Sequence, residues 1–341
     1  MAAVATSTVT SMSPGRGHVD GEAAPRVTRA LSPPPTASVV VATRLRPVLL
    51  RRCLSALSEL AVAPHEIIVV DNSDGDEATK ITAEAAGARH IVESVGGQCR
   101  ARNAGAQAAT GDVVAFLDDD VVVDRDWLRC LLTPFEDAGV SVVTGRIMSL
   151  RHASEGTATF TGGGLMDLGE DPRAFERGAP DWFERANFGG IGNGPNMAFR
   201  RRLFETWPGF RESIGHGTPV PGGDEHYAFF ELLSSGHRIV YTPLAIVGHP
   251  DPDSSAATRS FRARVTRQGS AHAVLLLIEA PGYRWRTLRF VCSGMFRRIG
   301  PADPGPERLP VGQDISLPGL LRAAIEGPAL YLSSRRQHRR R

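Results

Sequence analysis

The sequence predicts an α/β fold with a mainly parallel sheet and a ligand site at the carboxyl ends of its strands. Short apolar runs alternate with amphipathic segments from residue 38 to residue 117. Two of these runs end directly in acid, because Asp71 follows Val70 and Asp118 follows Leu117. Alternation of this kind implies right-handed crossovers between parallel strands. Ligands bind at the carboxyl edge of such sheets.

Hydrophobic periodicity, proline and glycine define the individual elements. Leu50, Leu54 and Leu57 recur at helical spacing after Pro47, a residue suited to the first turn of a helix. The predicted strands are 39–41, 66–70, 91–92, 113–117, 140–147, 196–199, 238–241 and 245–247. The predicted helices are 47–61, 77–86, 98–109, one from about 124, 201–207 and 224–235, and residues 151–187 form a loop-rich insertion.

Composition sets the class of protein and the division of the chain. The 341 residues are 42% hydrophobic with a formal net charge of +2, so no nucleic-acid partner is predicted. Four widely spaced cysteines favour a cytoplasmic location, and no apolar run is long enough to predict a membrane span. We predict a disordered leader over 1–36, a main domain over 37–250, and a basic amphipathic region over 251–341 that ends in a disordered Arg-rich tail.

Three adjacent carboxylates follow the strand that ends at Leu117. Asp118, Asp119 and Asp120 repel one another unless a cation or hydrogen-bond donors compensate their charge. Mg²⁺ and Mn²⁺ prefer such oxygen ligands, and substrate phosphates usually complete their coordination. A solvated acidic turn explains the triplet equally well. The segment 71–75, Asp-Asn-Ser-Asp-Gly, is likewise typical of a turn.

Several motifs resemble, in chain order, those of the family-2 glycosyltransferases, which have the GT-A fold. The resemblance covers about residues 38–250. The motifs that carry it are Val-Val-Val-Ala-Thr-Arg-Leu-Arg-Pro at 39–47, Glu-Ile-Ile-Val-Val-Asp-Asn-Ser at 66–73, Ala-Arg-Asn-Ala-Gly at 101–105, Phe-Leu-Asp-Asp-Asp at 116–120, Gly-Pro-Asn-Met-Ala-Phe-Arg-Arg at 194–201, Gly-Gly-Asp-Glu at 222–225 and Val-Gly-His at 247–249.

The resemblance implies a metal-dependent transferase that moves a sugar, with inversion, from a nucleotide-diphosphate-sugar to an acceptor hydroxyl of a glycan, lipid or small molecule. It makes 37–250 a GT-A catalytic domain, with a nucleotide-sugar-binding half over about 37–147 and an acceptor half over about 148–250. It implies donor binding by Thr43, Arg44, Arg46, Asp71, Asn72, Arg102, Asn103, Asp118 and Asp119, acceptor-side roles for Gly194 and Asn196, and ligation of Mg²⁺ or Mn²⁺ by Asp120, Asp118 and His249.

One departure from the family pattern concerns the catalytic base. The family has Glu followed by Asp where this chain has Asp224 followed by Glu225, and Glu231 replaces an arginine of the same helix. Both Asp224 and Glu225 are therefore candidate bases. Two acids at this position also simply favour a helix N-terminus. The alternative function is a non-catalytic relative that binds nucleotide-sugar or carbohydrate.

Two other enzyme classes are disfavoured by glycine placement. The glycine-rich stretch 190–194 is followed by Pro195 and a strand, whereas a dinucleotide-binding loop opens a helix. A sugar-nucleotide pyrophosphorylase requires a glycine-rich loop after the first strand, and residues 43–46 contain no glycine.

The region after Pro250 has two interpretations. Arg284, Arg286 and Arg289 surround Trp285 and Leu288. Arginine with tryptophan and leucine suits a helix at an anionic lipid surface. Arginine stems also pack over a protein core. The first interpretation predicts a peripheral contact with the inner face of the membrane.

Overall fold

The computed structural model describes residues 34–152, 158–252, 254–296 and 317–339. Most of the expected leader, residues 1–33, and the last two arginines of the expected tail lie outside these ranges. Residues 34–36 have no regular structure and lead directly into the first strand.

Strands and α-helices alternate through the first half of the described chain. The strands are β1 (Ala37–Thr43), β2 (Glu66–Asp71), β3 (Arg89–Val92), β4 (Val113–Asp118), β5 (Val122–Val123), β6 (Val140–His152), β7 (Ala158–Thr161), β8 (Arg173–Phe175), β9 (Met197–Arg200) and β10 (Arg238–Pro250). The α-helices are α1 (Pro47–Ser58), α2 (Glu77–Ala85), α3 (Gln98–Ala108), α4 (Trp127–Leu132), α5 (Trp182–Phe188), α6 (Asp224–Ser234), α7 (Ser255–Glu279), α8 (Arg284–Phe296) and α9 (Leu317–Arg339). Short 3₁₀ helices cover Thr133–Glu136, Arg201–Glu205 and Pro281–Tyr283.

The strands form one sheet in the order β3-β2-β1-β4-β9-β6-β10-β5, with β7 beside β6 and β8 beside β10. The pairs within β3-β2-β1-β4 are parallel, as is the pair β6 and β10, whereas β9 is antiparallel to both its neighbours. Thr43 lies opposite Asp71, and Ala42 lies opposite Asp118. The expected α/β class is confirmed, and the polar strand ends meet at one edge of the sheet.

Helices cover both faces of the sheet because successive strand residues point to opposite sides. In β1, Val39 and Val41 belong to a core with α1 and α4, whereas Val40 belongs to a second core with α3, α5 and α6. Gly105 lets α3 lie close to β1, because a Cβ built there would come within 2.3 Å of Val40 Cγ1. Tight packing at this glycine fixes α3 beside the strand ends.

The structure corrects the predicted elements in three places. Predicted strands 238–241 and 245–247 are one strand, β10, whose pairing with β6 is irregular between Thr242 and Ile246, around Pro243. The insertion 151–187 contains β7, β8 and most of α5. The tail expected to be disordered is helical as far as Arg339, the end of α9.

Helices α7 and α9 pack against each other at the end of the described chain. Gly327 of α9 lies against the backbone of Ser270 in α7, and Tyr331 is buried with Ile214 and Leu275. The Tyr331 hydroxyl donates to Glu279 Oε1 at 2.7 Å. Within the described ranges, no helix combines the length and hydrophobicity required to cross a membrane.

Candidate active site

A cavity of about 830 Å³ lies at the carboxyl edge of the sheet. Its walls come from the ends of β1, β4 and β10, the starts of α3 and α6, and the middle of α7. The segments around 165–168, 189–195 and 216–217 complete them. The predicted site residues that line it are Thr43, Arg44, Arg46, Asn72, Arg102, Asp118, Asp119, Asp120, Gly194, Asp224, Glu225 and His249.

Asp119 is the most enclosed member of the acidic run. Its side chain is 3% exposed, and it accepts hydrogen bonds from Thr43 Oγ1 at 2.7 Å and from Arg46 Nη1 at 2.6 Å. Burial raises the pKa of Asp119 to about 6, although the bond from Thr43 and the charge of Arg46 oppose that rise. Arg46 also donates to Asp120 Oδ2 at 2.9 Å. The predicted donor-side residues Thr43 and Arg46 therefore hold the acidic run in place.

Arg102 joins the two halves of the cavity. Its Nη2 donates to Asp118 Oδ1 at 3.1 Å, and its Nη1 donates to Asp224 Oδ2 at 2.5 Å. Burial alone would lower the pKa of Arg102, but the carboxylates of Asp224 and Asp118 raise it, so the guanidinium stays charged. Gly194 makes room for this bridge, because a Cβ there would lie 2.6 Å from Arg102 Nη2. Arg102 thus couples the end of β4 to the start of α6.

The two candidate bases have different surroundings. Asp224 is 2% exposed and is tied to Arg102. Glu225 follows it, lines the cavity and is partly accessible. Burial, followed by the negative charge of Asp224, raises the pKa of Glu225. Glu225 is consequently the carboxylate better suited to exchange a proton near neutral pH.

Asp120 and His249 offer a ligand pair for a hard divalent cation. Oδ1 of Asp120 is buried without a hydrogen-bond donor in the described residues, and His249 Nε2 lies 3.6 Å from it. His249 Nδ1 lies 2.8 Å from the Pro250 carbonyl, a contact that orients the ring. No group of three or more His, Cys, Asp or Glu side chains within the described ranges has a metal-holding arrangement. A carboxylate and an imidazole suit Mn²⁺ or Mg²⁺ when substrate phosphates supply the remaining ligands.

Three predicted site residues do not line the cavity. Asp71 is fully buried and accepts hydrogen bonds from Ser73 Oγ and the Asp76 amide, so its carboxylate organises the turn after β2. Asn103 forms two 2.8 Å hydrogen bonds with the backbone of Phe210.

The third, Asn196, is also fully buried. It donates to the carbonyls of Arg146 and Ala245 and accepts from Trp127 Nε1. Every polar atom of the Asn103 and Asn196 amides therefore has a partner inside the protein, and neither residue lines the cavity, so the binding roles implied for them stay predictions. The donor-binding role implied for Asp71 likewise stays a prediction.

Two other predicted donor-side residues are at the cavity wall. Asn72 holds the loop before α3, donating to the carbonyls of Glu93 and Val95 and accepting from the Gly97 amide at 2.7 Å. Arg44 packs on the same loop, since a Cβ at Gly96 would lie 3.0 Å from its Nη1. Asn72 therefore shapes the cavity, and Arg44 lines it.

The sequence interpretation missed several lining residues. Gln98 donates to Asp118 Oδ1 at 2.9 Å and lies 3.1 Å from His216 Nδ1. Phe261, Arg264 and Gln268 reach the cavity from α7. Gln98 is detectable as the first residue of the helix that faces the strand ends. The α7 residues are not, since Arg264 belongs to a cluster of arginines that composition alone assigns to a surface.

The sheet order, the acid-bearing strand end and the paired acids opposite it define the GT-A fold of nucleotide-sugar-dependent glycosyltransferases. The family model Glycosyl transferase family 2 matches residues 38–206. The chain belongs to this family, and the resemblance read from its motifs is confirmed.

Relatives and solved structures agree with this assignment. The chain is 31% identical over 246 residues to the pre-mycofactocin glycosyltransferase of Mycobacterium tuberculosis, covering 70% of this chain but 47% of that protein. It is 29% identical over 253 residues to the succinoglycan biosynthesis protein ExoM of Rhizobium meliloti, covering 72% of this chain and 76% of ExoM. This chain thus spans about half the length of the Mycobacterium tuberculosis relative.

A solved mannosyltransferase from Pyrobaculum calidifontis, in complex with GDP-Man and Mn²⁺, has the same fold. It aligns with a TM-score of 0.50 and 18% identity, over 88% of this chain and 73% of its own.

Proposed function

We propose that this protein transfers a sugar from a nucleotide-diphosphate-sugar to an acceptor hydroxyl, with the help of a divalent cation and with inversion at the anomeric carbon. One observation carries the proposal. The acidic run after β4 and the paired acids of α6 face one cavity and are bridged by Arg102. The proposed leaving-group site and the proposed proton acceptor would therefore face the same cavity, with Arg102 between them.

The donor is assigned to the wall formed by β1, α3 and β4. Arg44 is the cation of this wall that has no carboxylate partner within the described ranges, and it suits a negatively charged ligand. Arg46 and Arg102 are already engaged by acids. Thr43 and Asn72 set the shape of this wall through their own hydrogen bonds.

Asp120 and His249, with Asp118 beside them, would hold Mg²⁺ or Mn²⁺. Such an ion stabilises the negative charge that develops on a departing diphosphate. The buried, donor-free Oδ1 of Asp120 supports this assignment. The Mn²⁺ in the mannosyltransferase complex supports it by analogy of fold.

Glu225 is the proposed general base, and Asp224 is its structural neighbour. Glu225 removes the proton of the acceptor hydroxyl, the acceptor oxygen forms a bond to the anomeric carbon, and the bond from that carbon to the diphosphate oxygen breaks. The proton remains on Glu225, and the nucleoside diphosphate leaves with the electron pair. Asp224 keeps Arg102 in position and contributes charge that raises the pKa of Glu225.

The acceptor is assigned to the wall formed by 189–195, α6 and α7. A glycan, a lipid-linked glycan and a small molecule are all compatible with the polar and aromatic side chains of this wall. A peripheral membrane contact through residues 251–341 belongs to the same proposal, because α7 both lines the cavity and leads into α8.

Calorimetric titration of the full chain with UDP-, GDP- and dTDP-sugars, with and without MnCl₂, tests the proposal. We expect one nucleotide class to bind in the presence of Mn²⁺ and to be hydrolysed slowly without an acceptor. Asp120→Asn should weaken that binding at least tenfold. Asp126→Asn is the matched control, because Asp126 is a neighbouring, half-exposed acid that lies outside the cavity lining.

The other outcomes separate the two candidate functions. Metal-dependent binding without hydrolysis, and without transfer to glycans or lipid extracts, would establish the non-catalytic binding relative. Absence of binding by folded protein would overturn the donor-site assignment.

A further inference from the structure

Helix α8 presents an apolar strip to solvent, between two arginines. Trp285 is 83% exposed and Leu288 is 40% exposed, with the free Cys292 one turn further along. Arg284 and Arg289 are exposed on either side of this strip. At about 100° per residue, these five side chains occupy about 140° of the helix circumference. We call this surface the Trp285 face.

The opposite side of α8 is fixed to the protein, so the Trp285 face has a defined direction. Phe290 stacks on Phe188 with ring centroids 3.9 Å apart. Arg286 donates hydrogen bonds to Glu184 Oε2 at 2.5 Å and to the Pro180 carbonyl at 2.7 Å. Thr287 is fully buried. Rotation of α8 to cover Trp285 would break all these contacts.

Trp285 is unusual among the tryptophans of the chain. The other three, Trp127, Trp182 and Trp207, are between 0% and 8% exposed. An exposed indole is energetically unfavourable in water and is a common anchor at interfaces.

Charge and size favour a lipid surface over a protein. Helix α8 carries three arginines and no acidic residue between Arg284 and Phe296. Tryptophan and leucine flanked by arginine is the pattern of a helix that lies in the headgroup region of an anionic bilayer. The strip contains three apolar side chains, whereas a stable protein interface requires roughly 800 Å² from each partner.

We propose that the Trp285 face of α8 binds the headgroup region of an anionic membrane, with Trp285 inserted and with Arg284 and Arg289 against lipid phosphates. This inference specifies the membrane contact of the proposed function. It does not depend on the transferase activity, because its test uses no sugar nucleotide. A failure here and a failure of the proposed function are therefore distinguishable.

Tryptophan fluorescence tests the proposal directly, because the other three indoles are buried. The full chain is mixed with phosphatidylcholine vesicles containing zero or 30% phosphatidylglycerol. With the anionic vesicles, we expect a blue shift of the emission and protection from iodide quenching. Raising the salt concentration should reverse both changes, since surface charges are then screened.

Variants assign the contact to the Trp285 face. Trp285→Ser should lower the partition coefficient, measured by vesicle sedimentation, about tenfold and remove the emission shift. The double variant Arg284→Gln and Arg289→Gln should lower the partition coefficient about thirtyfold, at about 1 kcal/mol for each arginine near an anionic surface. Leu244→Ser is the control, because Leu244 is 67% exposed on β10 and should leave partitioning unchanged.

Three results would overturn the proposal. The first is unchanged emission with anionic vesicles when sedimentation also shows no binding. The second is sedimentation without an emission shift, which assigns the contact to another segment. The third is a blue shift that depends on protein concentration without vesicles, which assigns the Trp285 face to contact with a second copy of the chain. Circular dichroism of each variant verifies that it is folded.

Discussion

Arg102 is the residue on which the geometry of the site depends most. It is 2% exposed and lies between two carboxylates, so removing its charge leaves Asp224 buried without a cation. We expect Arg102→Met to lower the free energy of unfolding by about 3–5 kcal/mol, as measured by urea denaturation. Arg129→Met removes an exposed ion pair with Asp126 and should cause no measurable change. Equal effects of the two substitutions would contradict the role of the bridge.

The order of the two acids in α6 gives a second residue-scale prediction. Glu225 must be deprotonated to act as a base, and its pKa is raised. The rate of transfer, or of donor hydrolysis, should therefore increase with pH above the ordinary range of a glutamate. Glu225→Gln should lower kcat by about 10²–10⁴-fold, with donor binding retained.

A pH profile of kcat for the wild type and for Asp224→Asn completes this test. Asp224→Asn removes the neighbouring negative charge, so the acid limb of the profile should move to lower pH. If Asp224→Asn abolishes turnover and Glu225→Gln does not, the base assignment is reversed.

Individual side chains show where sequence patterns are informative. Three adjacent carboxylates at 118–120 require compensation, but a solvated turn explains them equally well, so the site there was predicted from the family motif. Asp71 and Asn196 have similar local signals, yet both are enclosed by contacts with the chain. Asn196 is fixed by Trp127, Arg146 and Ala245, which are distant in sequence. Only the fold determines which polar residues face the cavity.

At the scale of elements, the approach of α3 to β1 is limited by Gly105. An added Cβ would lie 2.3 Å from Val40 Cγ1 in a buried core. We expect Gly105→Ala to destabilise the protein by about 1–3 kcal/mol through overpacking, reduced by the higher helix propensity of alanine. Thermal and urea denaturation provide the measurement.

Gly178 is the matched control for this substitution. A Cβ at Gly178 would have no atom within 4 Å, so Gly178→Ala should not change stability. Combining Gly105→Ala with Val40→Ala should cost less than the sum of the two single changes, because both act on one contact. Additive effects would contradict direct packing between the two residues.

The elements were predictable where apolar periodicity is strong and local. All the strands and helices expected between residues 39 and 117 are present. The sequence suggested two strands, 238–241 and 245–247, but pairing with β6 on both sides of Pro243, at Thr242 and at Ile246, makes β10 one strand. Long-range pairing of this kind has no local signature.

At the scale of the whole molecule, two buried histidines predict acid sensitivity. Burial lowers the pKa of His226 to about 4 and that of His272 to about 3. An unfolded histidine titrates near 6.5. Between these values the unfolded chain binds more protons, so stability is fully present above about pH 6.5 and falls as the pH decreases.

Within this window, each histidine should lower the free energy of unfolding by about 1.4 kcal/mol for each unit by which the pH decreases. Asp119 and Glu225 have raised pKa values and act with the opposite sign, so variants give the clearest comparison. We expect His272→Asn to show a weaker decline in unfolding free energy between pH 6.5 and 4.5 than the wild type. Parallel curves for the two proteins would contradict a neutral, buried His272.

The arrangement of the C-terminal helices was beyond prediction from the sequence. Composition suggested a basic surface region with a disordered end, and it did identify Trp285 and its arginines. It did not indicate that α7 lines the cavity or that α9 packs on α7. The relevant contacts join residues more than 50 positions apart, such as Tyr331 with Glu279. Such long-range contacts produce no periodic pattern in the sequence of either segment.

The packing of α9 has a consequence for how the protein is made. Ser334 donates to the carbonyl of Ser213, just before the segment that leads to Glu225, and Glu279 pairs with both Tyr331 and Arg211. Domains begin to fold from the N-terminus while the ribosome is still adding residues. The strands that carry the acidic run are therefore available early in translation. The wall that carries Asp224 and Glu225 makes its contacts with α9 only after residue 334 has been synthesised. In a nascent chain, this pair of acids therefore becomes fully supported later than the acidic run 118–120.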